Sequence, residues 1–200
     1  IRDRINGSAK EKGCTFTALS EVARGLNESG VETEILSLGT KPVADCMGCG
    51  KCRETGACVF GDIVNEIVEK AKTADGFVFG SPVYYAHASG RLLSVLDRAF
   101  YSGGKEFAFK PGAAVVSARR GGTTASLEVI NKHFSINQMP IVTSNYWNMV
   151  HGNTPDEVRQ DKEGMRTMYN LGRNMAWMIK CIQAGPEHPQ NEKESTNFIR

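Results

Sequence analysis

Short apolar, β-prone runs alternate with amphipathic stretches along nearly the whole chain, and this order restricts the fold more than any single motif does. The runs fall at 1–5, 31–38 (VETEILSL), 76–80 (GFVFG), 113–117 (AAVVS) and 139–144 (MPIVTS). Between them the apolar residues take helical steps: Leu19, Val22, Ala23 and Leu26 in 15–29, Ile63, Ile67 and Val68 in 62–71, Leu92, Leu93, Leu96 and Phe100 in 90–100. A fourth helix is expected over 123–134, and one long helix over 155–183 with Thr154 as its N-cap and Pro155 in its first turn. Strand followed by helix, repeated, specifies an α/β domain: a five-stranded parallel sheet between two helical layers. Such doubly wound domains bind ligands at the carboxyl ends of their strands. The first run, IRDRI, is too charged for a strand buried on both faces, so an irregular or truncated first strand is expected.

Composition narrows the class. With 200 residues, 40% of them hydrophobic, the chain can fill one substantial core. Residues 1–184 are expected to form that single domain and 185–200 a polar tail. A formal charge of only +2, with no block of like charges, argues against nucleic-acid and membrane-surface partners. No run is long and apolar enough to span a membrane, and the start lacks the apolar segment of a signal peptide. The expected location is the cytoplasm, where thiols stay reduced. Met165, Met168, Met175 and Met178, with Leu171, Ile179 and Ile182, form a packing stripe, and Cys181 is expected to be an inert core residue. His87 is expected to face solvent, and Trp147 to pack at an interface.

Three loops after strands carry chemistry. The first, NGSAKEKGCTFT (6–17), leads straight into a helix: Gly7 and Gly13 allow a tight backbone, Ser8, Thr15 and Thr17 offer hydroxyls, and Lys10 adds charge. It is a phosphate cradle or a capped helix start, and it matches neither the Walker loop nor the dinucleotide glycine fingerprint. The loop SPVYYAHASG (81–90) offers flat surfaces on Tyr84 and Tyr85 behind a stiff Pro82, and SARRGGTT (117–124) pairs Arg119 and Arg120 with two glycines. In a 2-1-3-4-5 sheet the three loops face one crevice, the place where such folds hold flavin mononucleotide (FMN).

Cys46, Cys49, Cys52 and Cys58 are spaced C-x2-C-x2-C-x5-C, with Gly48, Gly50 and Gly56 letting the backbone bend around them. Three thiolates at three-residue steps and a fourth after a short loop suit one multi-iron cube, whereas zinc sites more often use two separated pairs. Free or zinc-binding thiols remain the alternative.

The elements NGSAKEKGCT and SPVYYAHASGRLLSVLDR, together with the compact cysteines, resemble the flavodoxin-like, NAD(P)H-dependent FMN reductase superfamily, and within it the iron-sulfur flavoproteins. The resemblance implies that Ser8, Lys10, Gly13, Cys14, Thr15, Phe16 and Thr17 surround the FMN phosphate. It further implies that Pro82, Val83, Tyr84, Tyr85 and Ala86 border the ring and ribityl chain, and that Ala118, Arg119, Arg120, Gly121 and Gly122 pass the ring's other edge. Cys14 stands where the family commonly has Asn. By the same resemblance the four cysteines of 46–58 carry a [4Fe-4S] cluster, and the chain is a homodimer or homotetramer with the cysteine loop of one subunit near the flavin of the next. The implied activity is electron transfer between NAD(P)H or a ferredoxin-type donor and an acceptor, through FMN and the cluster, with no side-chain acid or base. A cluster-free reductase of quinones, azo dyes or free flavin, and a non-enzymatic carrier or zinc-stabilised module, are the rival readings.

Overall fold

A computed structural model describes residues 3–192 and 194–196. Ile1 and Arg2 of the expected first strand, and Lys193 and 197–200 of the expected tail, lie outside the described residues. The elements are β1 (Asp3–Asn6), α1 (Cys14–Glu28), β2 (Glu34–Ser37), α2 (Cys52–Thr55), α3 (Ile63–Ala71), β3 (Phe77–Tyr84), β4 (His87–Ala88), α4 (Gly90–Phe107), β5 (Gly112–Ala118), α5 (Thr123–Ile136), β6 (Met149–His151), α6 (Pro155–Gln160) and α7 (Lys162–Ala184). Five strands run parallel in the order β2-β1-β3-β5-β6, which is the expected 2-1-3-4-5 topology, and the short β4 turns back antiparallel on the end of β3.

Side chains alternate across the central strands, and each face meets its own helical layer. Phe77, Phe79 and Val116 pack with Val64 and Ile67 of α3, Leu92 and Leu96 of α4, and Ile130 and Phe134 of α5. Val78, Val115 and Val150 face Leu19, Val22 and Leu26 of α1 and Met168, Leu171, Met175 and Ile179 of α7. Full burial of each such side chain contributes roughly 1.5–3 kcal/mol. β1 is a regular strand hydrogen-bonded on both sides, despite its charged sequence.

That regular β1 corrects the expectation of an irregular first strand, and four further expectations are corrected. The last parallel strand is β6, at Met149–His151, rather than 139–144. Residues 140–142 touch the start of β5 through Gly112 N–H to Pro140 O and Val142 N–H to Gly112 O; the chain then swings out and rejoins through Val116 N–H to Asn148 O. An edge position, with a proline that cannot donate, tolerates this interruption. The single long helix is two, because Asp161 leaves helical geometry and its carboxylate caps α7 by accepting from Gly164 N–H; Thr154 caps α6 as expected. Segment 81–90 is the end of β3, a two-residue turn and β4, rather than a plain loop. Cys181 and Ile182 are exposed, since the last turns of α7 run past the core.

Candidate functional site

Hydrogen bonds between buried polar groups at the carboxyl ends of β1, β3 and β5 tie the three loops together. Gly7 N–H donates to Gly80 O at 2.8 Å, Ser89 Oγ to Gly7 O at 3.2 Å, and Ser89 N–H to Ser81 Oγ at 2.9 Å. The hydroxyls of Thr15 and Ser117 share a bond of 2.8 Å, joining the start of α1 to the end of β5. Within the first loop Asn6 shapes the turn, accepting from Ser8 N–H at 3.1 Å and donating to Glu11 O at 3.1 Å. Ser8 Oγ accepts from Lys10 N–H, and the Thr17 hydroxyl donates to Gly13 O. Gly13, the N-cap of α1, supplies no side-chain acceptor. The amides of Cys14, Thr15 and Phe16 therefore have no intrahelical partner, and at a helix N-terminus they suit an anion. Lys10 is exposed beside them, while burial pushes the Cys14 thiol above its ordinary pKa.

The β3–β4 turn is built from Tyr85 and Ala86, both in left-handed geometry (φ 49° and 59°), as a tight two-residue hairpin demands. Non-glycine residues adopt this conformation at a cost of about 1–2 kcal/mol each, and such strain collects at ligand sites. Tyr85 is fully exposed and Tyr84 half-exposed, with Pro82 and Val83 partly buried beneath them. Against this turn lies the loop after Ala118. Gly122 has φ 94°, and a Cβ there would come within 2.4 Å of Ala86 Cα. Arg119, Arg120 and Gly121 are exposed, and His151 Nε2 bonds the Arg120 carbonyl at 3.1 Å. His87 is exposed in β4, and Trp147 is exposed edge-on to Tyr146. The three expected loops thus form one contiguous rim.

Cys46, Cys49, Cys52 and Cys58 line one cavity of about 500 Å3 under α4. Gly48, Gly50 and Gly56 all take positive φ in this loop, as its bends require. Among the described residues no three His, Cys, Asp or Glu side chains are placed to hold a metal ion. Cys46 and Cys49 are exposed, whereas Cys58 is partly buried and held from both sides of its backbone by Asn65, at 2.9 Å each. Its sulfur faces Arg98, which is 1% exposed. Arg98 donates to Cys58 Sγ from Nε at 3.3 Å and from its second terminal nitrogen at 3.2 Å, and pairs with both oxygens of Asp62 at 2.7 and 2.8 Å. Burial pushes the Asp62 carboxyl up, but the bonds from Arg98 and from Val64 N–H outweigh it and leave the group below its usual pKa.

Arg98, Asp62, Asn65, Asn6, Ser81, Ser89 and Ser117 are the residues to which the sequence reading gave no role, although all but Asp62 and Asn65 lie inside the quoted motifs. For Arg98 a signal existed: it lies three residues after Val95 on the stripe that buries Leu92, Leu96 and Ala99, where a charge needs a buried partner.

A family model for NADPH-dependent FMN reductases matches residues 4–154. Over 187 residues the chain is 35% identical to an iron-sulfur flavoprotein of Methanocaldococcus jannaschii, covering 90% of this chain and 97% of that one. Among solved structures it resembles RosB with bound 8-demethyl-8-formylriboflavin-5'-phosphate (TM-score 0.72, 12% identity, 98% of this chain and 91% of that one). It also resembles a flavodoxin from the Archaea (TM-score 0.59, 14% identity, 90% and 99%). The two structures establish a flavodoxin-like fold. No helix is long and apolar enough to cross a membrane among the described residues.

Proposed function

The chain belongs to the NADPH-dependent FMN reductase family, in its iron-sulfur flavoprotein branch, as a flavin-dependent oxidoreductase, and on that premise we propose that it passes electrons between FMN at the three-loop rim and a [4Fe-4S] cluster at the cysteine cavity. The observation that carries the flavin site is the uncapped start of α1 beside the strained Tyr85–Ala86 turn, two features held in register by the Thr15–Ser117 and Gly7–Gly80 bonds. The amides of Cys14, Thr15 and Phe16, with Ser8 and Lys10, hold the phosphate; Gly13 lets the loop close over it, while Thr15 and Thr17 brace that loop. Pro82 to Ala86 border the ring on one side, and Ala118 to Gly122 on the other. When bound, FMN exchanges electrons in pairs or singly, and a cluster exchanges them singly.

Four thiols lining one cavity supply the donor set that a [4Fe-4S] cluster takes. Exposed Met47, Val59, Phe60 and Tyr101 beside the cysteines, and Tyr84 and Tyr85 at the rim, support a homodimer or homotetramer in which the two centres meet across an interface. NAD(P)H or a ferredoxin-type protein is the proposed electron donor, and the cytoplasm the proposed location.

Iron, acid-labile sulfide, zinc and FMN are to be measured in protein purified without oxygen. About four irons and four sulfides per FMN are expected. FMN without iron would leave a cluster-free NAD(P)H reductase, zinc would indicate a structural site, and absence of FMN would overturn the rim as a flavin site. Steady oxidation of NAD(P)H with an added acceptor separates an enzyme from a carrier.

A further inference from the structure

We propose that Arg98 is a positioning residue that sets the reduction potential of the group bound by the cysteine loop, through two N–H bonds to the Cys58 sulfur; this rests on the cluster reading above. A guanidinium has five N–H donors, and here each has a partner. Nε and one terminal N–H go to Cys58 Sγ, the Asp62 carboxylate takes two more, and Ala44 O accepts the last at 3.2 Å. The Phe60 ring covers the cation, its centroid 4.6 Å from Cζ. With its fork fully engaged and its surface 1% exposed, the side chain is fixed in one orientation toward one sulfur.

Folding alone does not call for this arrangement. A buried ion pair is often no more stabilising than apolar residues of the same volume, and α4 otherwise presents Leu92, Val95, Leu96 and Ala99 along this face. What the arrangement does is place positive charge and two donors at a partly buried corner of the cavity, where Asn65 clamps the Cys58 backbone. Hydrogen bonds to ligand sulfurs and burial are levers on a cluster's potential. One-electron reduction there adds one negative charge next to Cys58, with no bond made or broken and no proton taken up, and in a titration dithionite supplies the electron. The guanidinium favours the reduced state, so Arg98 raises the potential. Arg98 also shares α4 with Ser89, the cap residue whose bonds brace the flavin rim. The eight residue steps from Gly90 to Arg98 span about 12 Å of that helix, making α4 a rigid spacer between the two centres.

The test is a redox titration, followed by EPR, of anaerobically purified wild-type, Arg98→Gln and Arg98→Lys proteins, with iron, sulfide and FMN measured in each sample. Arg98→Gln should retain iron and shift the reduction equilibrium about tenfold toward the oxidised state, a midpoint about 59 mV lower for a one-electron couple. Arg98→Lys, which keeps charge but not the fork, should fall between. A loaded Arg98→Gln protein at the wild-type midpoint overturns the assignment and leaves the cluster reading standing, whereas iron-free wild-type protein overturns both. Should the Arg98 variants not fold, pulsed EPR of reduced wild-type protein carrying 15N-arginine decides the matter. Guanidinium-nitrogen coupling that survives Arg53→Lys, which removes the other arginine lining the cavity, supports the contact, and its absence overturns it.

Discussion

Removing the Asp62 carboxylate should destabilise the fold more than any other single change at the cysteine cavity. Asp62 accepts two bonds from Arg98, at 2.7 and 2.8 Å, and caps α3 by accepting from Val64 N–H at 3.1 Å. Asp62→Ala leaves a guanidinium that is 1% exposed without its counter-charge, which costs about 3–5 kcal/mol, and removes an N-cap worth about 1 kcal/mol. Because the Asp62 side chain is 32% exposed, water reaches the vacated space, and the lower end of the sum, about 4 kcal/mol, is expected. Against a total of about 5–15 kcal/mol for a domain, this is a large fraction. Asp62→Asn keeps the cap but not the counter-charge, so it should cost about 1 kcal/mol less than Asp62→Ala, about 3 kcal/mol. The assay is urea unfolding of protein stripped of flavin and metal, so that ligand binding does not enter the difference. The double variant Asp62→Ala/Arg98→Met should recover at least about half of the loss, since an apolar pair leaves no stranded charge. A loss below about 1 kcal/mol in Asp62→Ala, or strict additivity in the double variant, would refute the buried-pair account.

The same pair predicts a pH dependence. Asp62 is held below its ordinary pKa in the folded protein, so its contribution is fully present above about pH 4–5 and is lost as pH falls through the lower folded value; the stability gap between wild type and Asp62→Asn, followed by urea midpoints against pH, should close only on that acid side. Gly122→Ala should cost about 1–2 kcal/mol for its left-handed geometry. It should also weaken FMN binding about tenfold or more by pushing the Tyr85–Ala86 turn aside, as read by flavin fluorescence titration; affinity within twofold of wild type would contradict the contact between the two loops. Tyr85→Gly should relieve strain and stabilise the apoprotein by about 1 kcal/mol, yet weaken FMN binding. Stabilisation with unchanged FMN affinity would show that Tyr85 does not border the ring.

The fold was legible in the sequence because strands buried on both faces, such as Val78-Phe79 and Ala113 to Val116, read as continuous apolar runs, and the helices between them keep one apolar face. What misled was local. MPIVTS has the composition of a strand, but an edge position let the chain leave the sheet after Val142 and return at Met149, a choice made by tertiary contacts. The break at Asp161 was written as Asp-x-x-Gly, a cap signal inside a longer helical period that a period count overrides.

That the loops after β1, β3 and β5 lie together was legible because loops that follow strands gather in one crevice, and that the four cysteines share one cavity was legible from their short spacing. The residues that hold those loops in place were hidden, since Asn6, Ser81, Ser89 and Ser117 are ordinary small polar residues until burial obliges each to find a partner. Arg98 shows how such a residue can be found. Its position on an apolar helix stripe requires a buried acceptor, and the segment packed beneath α4 offers three, the Asp62 carboxylate at the start of α3, the Cys58 sulfur and the Ala44 carbonyl. A charge on a helix's buried face is therefore best read as a pointer across to the neighbouring element, and here it points from the helix that begins at the proposed flavin rim to the cavity lined by the four thiols.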